Sequence, residues 1–370
     1  MKNNRHLLVG FVLAFGILGT TLQFASHAGT AVTSLEVESG AKSGVSTTSG
    51  TDMSGGASVK FGTAMAARFA GNVPGRVLLG MAASTSIRPL YNEALGITGT
   101  VYERRQFDPG WITAAKMNNM LDDCDANNQY CVISFKVPGT DWAGVAAGNY
   151  DADLNIAKSV AQSRAKPFAF AVHHEPQGDG VAADWAAMQE YLVQYLSPVN
   201  NKMAFTTIAN GFWWGPNHGK TDAYIATYYP QSLLNKMNQY RGVIAADFYD
   251  TYPYPNGTYG ATDDRTSIKM QSFVDWAKAK GVNSLGVGEF GVSSAPEMTN
   301  SWNVIHTNRD MFGYANYFNS LANSVYDWRL IPSNYPIYDT GNPLDQGGSP
   351  TSQAILNGFK AALAESVTPM

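Results

Sequence analysis

From Arg76 onward the chain alternates short apolar runs with longer amphipathic stretches, and that alternation constrains the fold more than any other feature. The runs "RVLLGMAAS", "TGTVYERRQF", "YCVISFKVPG", "PFAFAVHHEP", "MAFTTIANGFWWGP", "VIAADFYDTYP", "SLGVGEFGV" and "NSVYDWRLI" read as eight strands. Helix-like segments lie between several of them, among them "TAAKMNNMLDDC", "YDADLNIAKSVAQSRA", "WAAMQEYLVQYLSPV", "QSLLNKMNQYRG", "DRTSIKMQSFVDWAKAKG" and "TNRDMFGYANYFNSLAN". In "DRTSIKMQSFVDWAKAKG", Ile268, Phe273, Trp276 and Ala277 recur at helical spacing, and Gly281 follows a basic last turn as a stop signal. Buried-type strands that alternate with helices imply a parallel sheet. Eight repeats favour closure into a (β/α)8 barrel over an open doubly wound sheet. No Gly-rich phosphate loop follows the first strand, which weighs against a dinucleotide fold.

The chain has 370 residues, 45% of them hydrophobic, enough for a large core. Its formal net charge is -4 and it has no long basic run, so a nucleic-acid partner has no electrostatic support. The first 28 residues read as an export signal. Lys2 and Arg5 supply charge, Leu7 to Ala25 the apolar run, and Ser26 and Ala28 small residues before a cut. That run is also about long enough to span a bilayer, so an uncleaved anchor is the alternative. Either way the body lies outside the cytoplasm, with no other membrane segment. Residues 29–70, rich in Ser, Gly and Thr, read as a linker or loosely ordered arm, and residues 71–370 as the barrel. Cys124 and Cys131 flank the turn-like "DANNQY", and in an exported chain they read as a local disulfide. No Cys or His pair has ligand spacing, so neither a metal nor a cofactor is expected.

The chemistry of such a barrel sits at the C-terminal ends of its strands. The fourth strand ends in His173, His174, Glu175 and Pro176, where the proline is expected to hold Glu175 extended at the lip. The seventh ends in "GVGEFG", with Glu289 between glycines that permit close backbone approach. Glu175 and Glu289 therefore stand at the ends of apolar strands rather than on solvated helices, three βα units apart. Singly, each reads as a solvated or salt-bridged carboxylate. Together they are what cleavage of a glycosidic bond needs: one protonated acid for the leaving oxygen, one ionised group to attack or to activate water.

"HHEP" after strand four and "GEFG" on strand seven resemble the retaining (β/α)8 glycoside hydrolases of clan A, and within the clan most resemble glycoside hydrolase family 26, which includes endo-β-mannanases and β-glucanases. The resemblance covers the chain from about Arg76 to its end. It implies an endo-β-glycosidase acting on a polysaccharide, with β-mannan first and β-glucan next; the export signal makes it a secreted one, expected to be a monomer. It further implies that Glu175 is the acid/base, Glu289 the nucleophile and His174 a residue that orients the site. "ADFYD" resembles the family's sixth-strand end and would put Tyr249 beside Glu289 as a hydrogen-bond donor. The family's usual Arg or Trp context around "HE" is missing here.

The remaining site candidates are read from placement. Asp247 shares strand parity with Tyr249 and is a candidate to bind a sugar hydroxyl or steady a neighbour. Arg104 and Arg105 are read as ending strand two, where Arg104 would pair with the nucleophile or form a surface ion pair. Trp328 at the end of the eighth run is read as a sugar platform, Trp213 and Trp142 as platform or rim packing alike, and Trp214 as packing. His173 is read as a structural neighbour facing away from His174. The rival reading of the whole chain is a carbohydrate-binding barrel without hydrolysis, against which the intact Glu175 and Glu289 argue. An esterase lacks its "GxSxG" elbow.

Overall fold

The computed structural model describes residues 45–49, 57–61, 67–82, 103–216, 219–250, 265–319, 321–322, 326–333 and 348–367. The chain divides into two compact units, Met1–Ala64 and Met65–Met370. Within the first, Val45–Ser49 and Ala57–Phe61 pair as an antiparallel ribbon inside the Ser/Gly-rich arm. The export signal and the rest of the arm lie outside the described residues.

The second unit holds a closed barrel of eight parallel strands. These are β1 (Leu78–Ala82), β2 (Glu103–Asp108), β3 (Tyr130–Phe135), β4 (Phe168–Val172), β5 (Met203–Asn210), β6 (Val243–Tyr249), β7 (Leu285–Gly291) and β8 (Phe312–Phe318). Strand β8 closes the ring by pairing with β7 on one side and β1 on the other. Among the described residues, the helices between or after the strands are α1 (Ala114–Ala126), α2 (Trp142–Ala146), α3 (Asp151–Ser163), α4 (Ala182–Tyr195), α5 (Asp222–Tyr228), α6 (Gln231–Gln239), α7 (Thr266–Ala279), α8 (Ala295–Thr307) and α9 (Pro350–Val367). Among the described residues no helix is long and apolar enough to cross a membrane.

The (β/α)8 barrel expected from the alternation is therefore the fold, but its eighth strand is not the expected one. "FGYANYF", expected within a helix, is β8, and the helix lies one segment earlier as α8. Aromatics at Phe312, Tyr314, Tyr317 and Phe318 fit helical spacing as well as alternation, and the two open strand edges decide between them. Of "NSVYDWRLI", Tyr326–Asp327 forms a short antiparallel ribbon with Leu321–Ala322.

The barrel interior is built from small residues around a few large ones. Ala169, Ala171, Ala204 and Ala245 surround Val132, Ile208 and Tyr314. A Cβ on Gly286 would meet the Tyr314 ring at 2.4 Å, so glycine there makes room for it, and the Tyr314 hydroxyl lies 2.7 Å from Thr206 Oγ1. The N-terminal end is plugged by Phe69 and Ala70, which belong to the barrel rather than to the arm. The Phe69 ring meets Tyr314 edge-on, Arg68 donates to the Phe312 carbonyl, Tyr130 to that of Ala70, and Arg241 to those of Ala67 and Arg68. On the outer face, the disulfide Cys124–Cys131 ties the end of α1 to the start of β3, with Cα atoms 5.8 Å apart.

Candidate active site at the C-terminal lip of the barrel

Strand β4 stops at Val172, and the next residues turn rather than extend. His173 and Glu175 both have positive φ, 56° and 49°. For residues with a Cβ this region costs about 1–2 kcal/mol each. Glu175 is thus not in the extended form expected ahead of Pro176. The turn is held on both sides: the His173 amide donates to the Phe135 carbonyl on β3 (2.8 Å), and the Glu175 amide to the Ile208 carbonyl on β5 (2.8 Å). Two ladders that would have ended at the lip instead reach up to Glu175.

The side chains around the turn finish the anchoring. Buried His173 accepts at Nδ1 from the Val137 amide (3.3 Å), so Nε2 carries the proton and donates to Asp179 Oδ2 (2.9 Å). Burial pushes its pKa down to about 4, with Asp179 opposing and Lys136 reinforcing that shift. Burial also resists ionisation of Asp179, but hydrogen bonds from His173 and Lys136 outweigh it and hold the carboxyl below its ordinary value. The Lys136 ammonium donates to the His174 carbonyl (2.6 Å) and to Asp179 (3.1 Å), clamping both ends of the turn. His174 sits with Nδ1 3.1 Å from Ser134 Oγ and its ring edge-on to Phe107, with centroids 4.5 Å apart.

Glu289 is held differently, inside a strand. The register skips on β7: Ala246 pairs with Val287, but Asp247 pairs with Glu289. Gly288 is the extra residue of this bulge, which re-aims the glutamate that follows. A Cβ at Gly288 would meet Asp247 Oδ1 at 2.3 Å, so the buried aspartate requires glycine there. The Tyr249 hydroxyl donates to Glu289 Oε2. Burial first, then the charges of Glu289, Asp247 and Glu175, raise the Tyr249 pKa well above its ordinary value, so the phenol keeps its proton. Tyr249 therefore lies within the fields of both glutamates and of Asp247.

Aromatic packing fixes Tyr249. Its ring stacks on Trp328 (4.7 Å, 27°), and Phe318 meets both rings edge-on. A Cβ on Gly291 would meet Trp328 Cδ2 at 2.7 Å, so this glycine admits the indole. Trp328 is only 4% exposed and packs behind Tyr249. Trp213 is buried among Tyr224, Tyr228, Tyr229 and Trp214, and its indole donates to Gln177 Oε1 (2.5 Å) in the loop after β4. Trp142, also buried, meets His173 edge-on at 4.7 Å. Arg104 is the second residue of β2, paired with Met81 and Cys131, and so stands near the start of its strand rather than at the lip. Among the described residues the strand begins at Glu103, five residues after the start of the run "TGTVYERRQF".

The sequence reading missed Ser134, Lys136, Asp179 and Asn210. Asn210 accepts from the Gln177 amide (3.4 Å) and joins the loop after β4 to the end of β5. Ser134 and Lys136 carried a signal: each continues the inward parity of Val132 on β3, where a polar group is conspicuous. Among the described residues, no group of three or more His, Cys, Asp or Glu could hold a metal ion.

Neither a scan against protein-family models nor a search of curated sequences returns a match. Solved structures share the fold. XacCel5A, in complex with cellopentaose, matches at 15% identity with a TM-score of 0.53 over 77% of this chain and 99% of its own. Endoglucanase Cel5A of Pseudomonas stutzeri, in complex with cellobiose, matches at 14% and 0.51 over 82% and 98%. A family 39 glycoside hydrolase from Bacteroides cellulosilyticus WH2 matches at 13% and 0.50 over 77% and 64%. At these identities the likeness establishes the (β/α)8 barrel fold.

Proposed function

We propose that this protein is a secreted, retaining glycoside hydrolase of clan A that cleaves a β-linked polysaccharide internally, β-mannan first and β-glucan next. The observation that carries the reading is the placement of Glu175 after β4 and of Glu289 on β7 at the open end of the barrel, with the Tyr249 hydroxyl donating to Glu289 and the phenol kept protonated by burial and by the charges of Glu289, Asp247 and Glu175. Glu289, ordered by the Tyr249 hydrogen bond, attacks the anomeric carbon while Glu175 donates its proton to the leaving oxygen. Glu175 then takes a proton from the water that hydrolyses the glycosyl-enzyme. The phenol's proton is not consumed; it fixes the nucleophile's orientation. His174, set by Ser134, lies immediately before the acid and orients the site around it.

The resemblance of "HHEP" and "GEFG" to family 26 places mannan first. The barrels bound to cello-oligosaccharides among the fold neighbours keep β-glucan beside it. The test is reducing-sugar release from mannans, β-glucans and xylans by the mature protein, with product stereochemistry followed by NMR. Activity on one polymer that is lost in Glu289→Ala, with retention at the anomeric centre, is the expected result. Inversion would require carboxyls about 6.5–9.5 Å apart instead of about 5–5.5 Å and would overturn the double displacement. Binding without hydrolysis would support a carbohydrate-binding barrel instead.

A further inference from the structure

Phe107 is the penultimate residue of β2 and is 44% exposed, one of three large apolar side chains in that state among the described residues. Its register partner is Ser134, which faces into the barrel beside His174. Phe107 therefore stands on the inner face of the sheet at the open end, and its edge-on contact with His174 puts it next to the residue preceding Glu175. An exposed phenylalanine on the outside of a protein needs no explanation, but one on the inner face at the open end of the barrel, beside His174, faces whatever binds there. Its position is fixed. Asp108, the next residue, accepts from the Gly110 amide (2.7 Å) and pairs with Lys116 (2.9 Å), so the chain beyond the ring is tied to α1.

We propose that Phe107 is a substrate-positioning residue: its free face carries a pyranose ring of the bound chain adjoining the ring at the reacting centre. The C–H face of a sugar is weakly positive and apolar, and the face of a phenyl ring is negative, so the two stack without any hydrogen bond to desolvate. Because a phenyl ring reads no hydroxyl, this contact supplies affinity for a flat β-linked chain and leaves the choice of sugar to the polar groups around it.

This inference rests on the glycosidase reading, and the test separates the two. Mannopentaose and cellopentaose are assayed with wild type, Phe107→Ala and Phe107→Trp, beside a 4-nitrophenyl monoglycoside of the same sugar. Loss of the platform is expected to raise KM for the pentasaccharide about tenfold with little change in kcat. The tryptophan variant is expected to restore it, and the monoglycoside to be indifferent. A fall in kcat alike on long and short substrates would mean that Phe107 merely props His174, and would overturn the proposal. Hydrolysis whose KM ignores Phe107→Ala would overturn it while leaving the glycosidase reading intact. Titration calorimetry covers the remaining case. A wild type that binds a pentasaccharide without cleaving it, and binds about tenfold more weakly as Phe107→Ala, would sink the glycosidase reading and support Phe107. Neither binding nor cleavage would overturn both.

Discussion

The two lips that carry Glu175 and Glu289 solve one problem in opposite ways. At β4 the strand has already ended, and the backbone itself is the scaffold: two left-handed residues, two borrowed ladder bonds and a lysine that grips the turn from both ends. At β7 the glutamate is still within the strand, a bulge re-aims it, and a neighbouring phenol holds its side chain. The difference matches the tasks proposed for them. A nucleophile must meet one atom at one angle, whereas a group that first gives and then takes a proton serves two positions and gains from a mount on a turn.

Substitutions can break this contrast, and the largest effect belongs to Glu289, the proposed nucleophile. Glu289→Ala is expected to lower kcat by at least about 10^4-fold on every substrate, since no other group replaces the covalent step. Glu175→Ala is expected to cost about 10^2–10^4-fold on polysaccharide but far less on an aryl glycoside whose leaving group needs no proton. Equal losses on both would erase the division of labour.

The next effect is on stability and belongs to β4 alone. The unfolded His173 imidazole takes up a proton near its ordinary value of 6.5, whereas the folded one waits until about 4. Between those values the unfolded state binds more protons, so stability falls as pH drops through that window, by at most about 3 kcal/mol. The lowered pKa of Asp179 acts in the same direction at lower pH, below its ordinary value of 3.8. Denaturant midpoints measured from pH 7 to 4 are expected to show this slope, and His173→Gln to flatten it.

Tyr249→Phe sharpens the β7 side. Losing a hydrogen bond to a carboxylate is expected to reduce kcat about thirtyfold, with the protein still folded around the Trp328 stack. The smallest effect is Lys136→Met, which frees the β4 turn without touching either carboxyl. A fall of a few-fold in kcat at constant KM is expected, and steady-state kinetics on the preferred polymer would register it.

Much of this was legible in the chain because barrels repeat. Alternation of apolar runs and amphipathic stretches located seven of the eight strands, and both glutamates were visible as carboxylates at the ends of apolar strands. The eighth strand was not, because "FGYANYF" satisfies two periodicities and only its neighbours choose between them. Arg104 was misplaced for a related reason: a strand's limits are set by pairing partners, and local composition does not name them. The left-handed turn at His173 and Glu175 was also hidden. Nothing local favours a glutamate there, and the compensating bonds come from β3 and β5, distant in sequence. Trp213 and Trp142 were candidates for the rim, yet burial turns them inward, where they brace Gln177 and His173.

The plug of Phe69 and Ala70 has a consequence at the other end of the molecule. With Tyr130, Tyr314 and Arg241 fastened to it, the barrel is a cup with a floor and a single mouth, not a tube. Nothing can thread through it. Under the proposed function, a long polymer has to lie across the brim like a rope over a pulley, and both halves of a severed chain must leave by the side on which the intact one arrived.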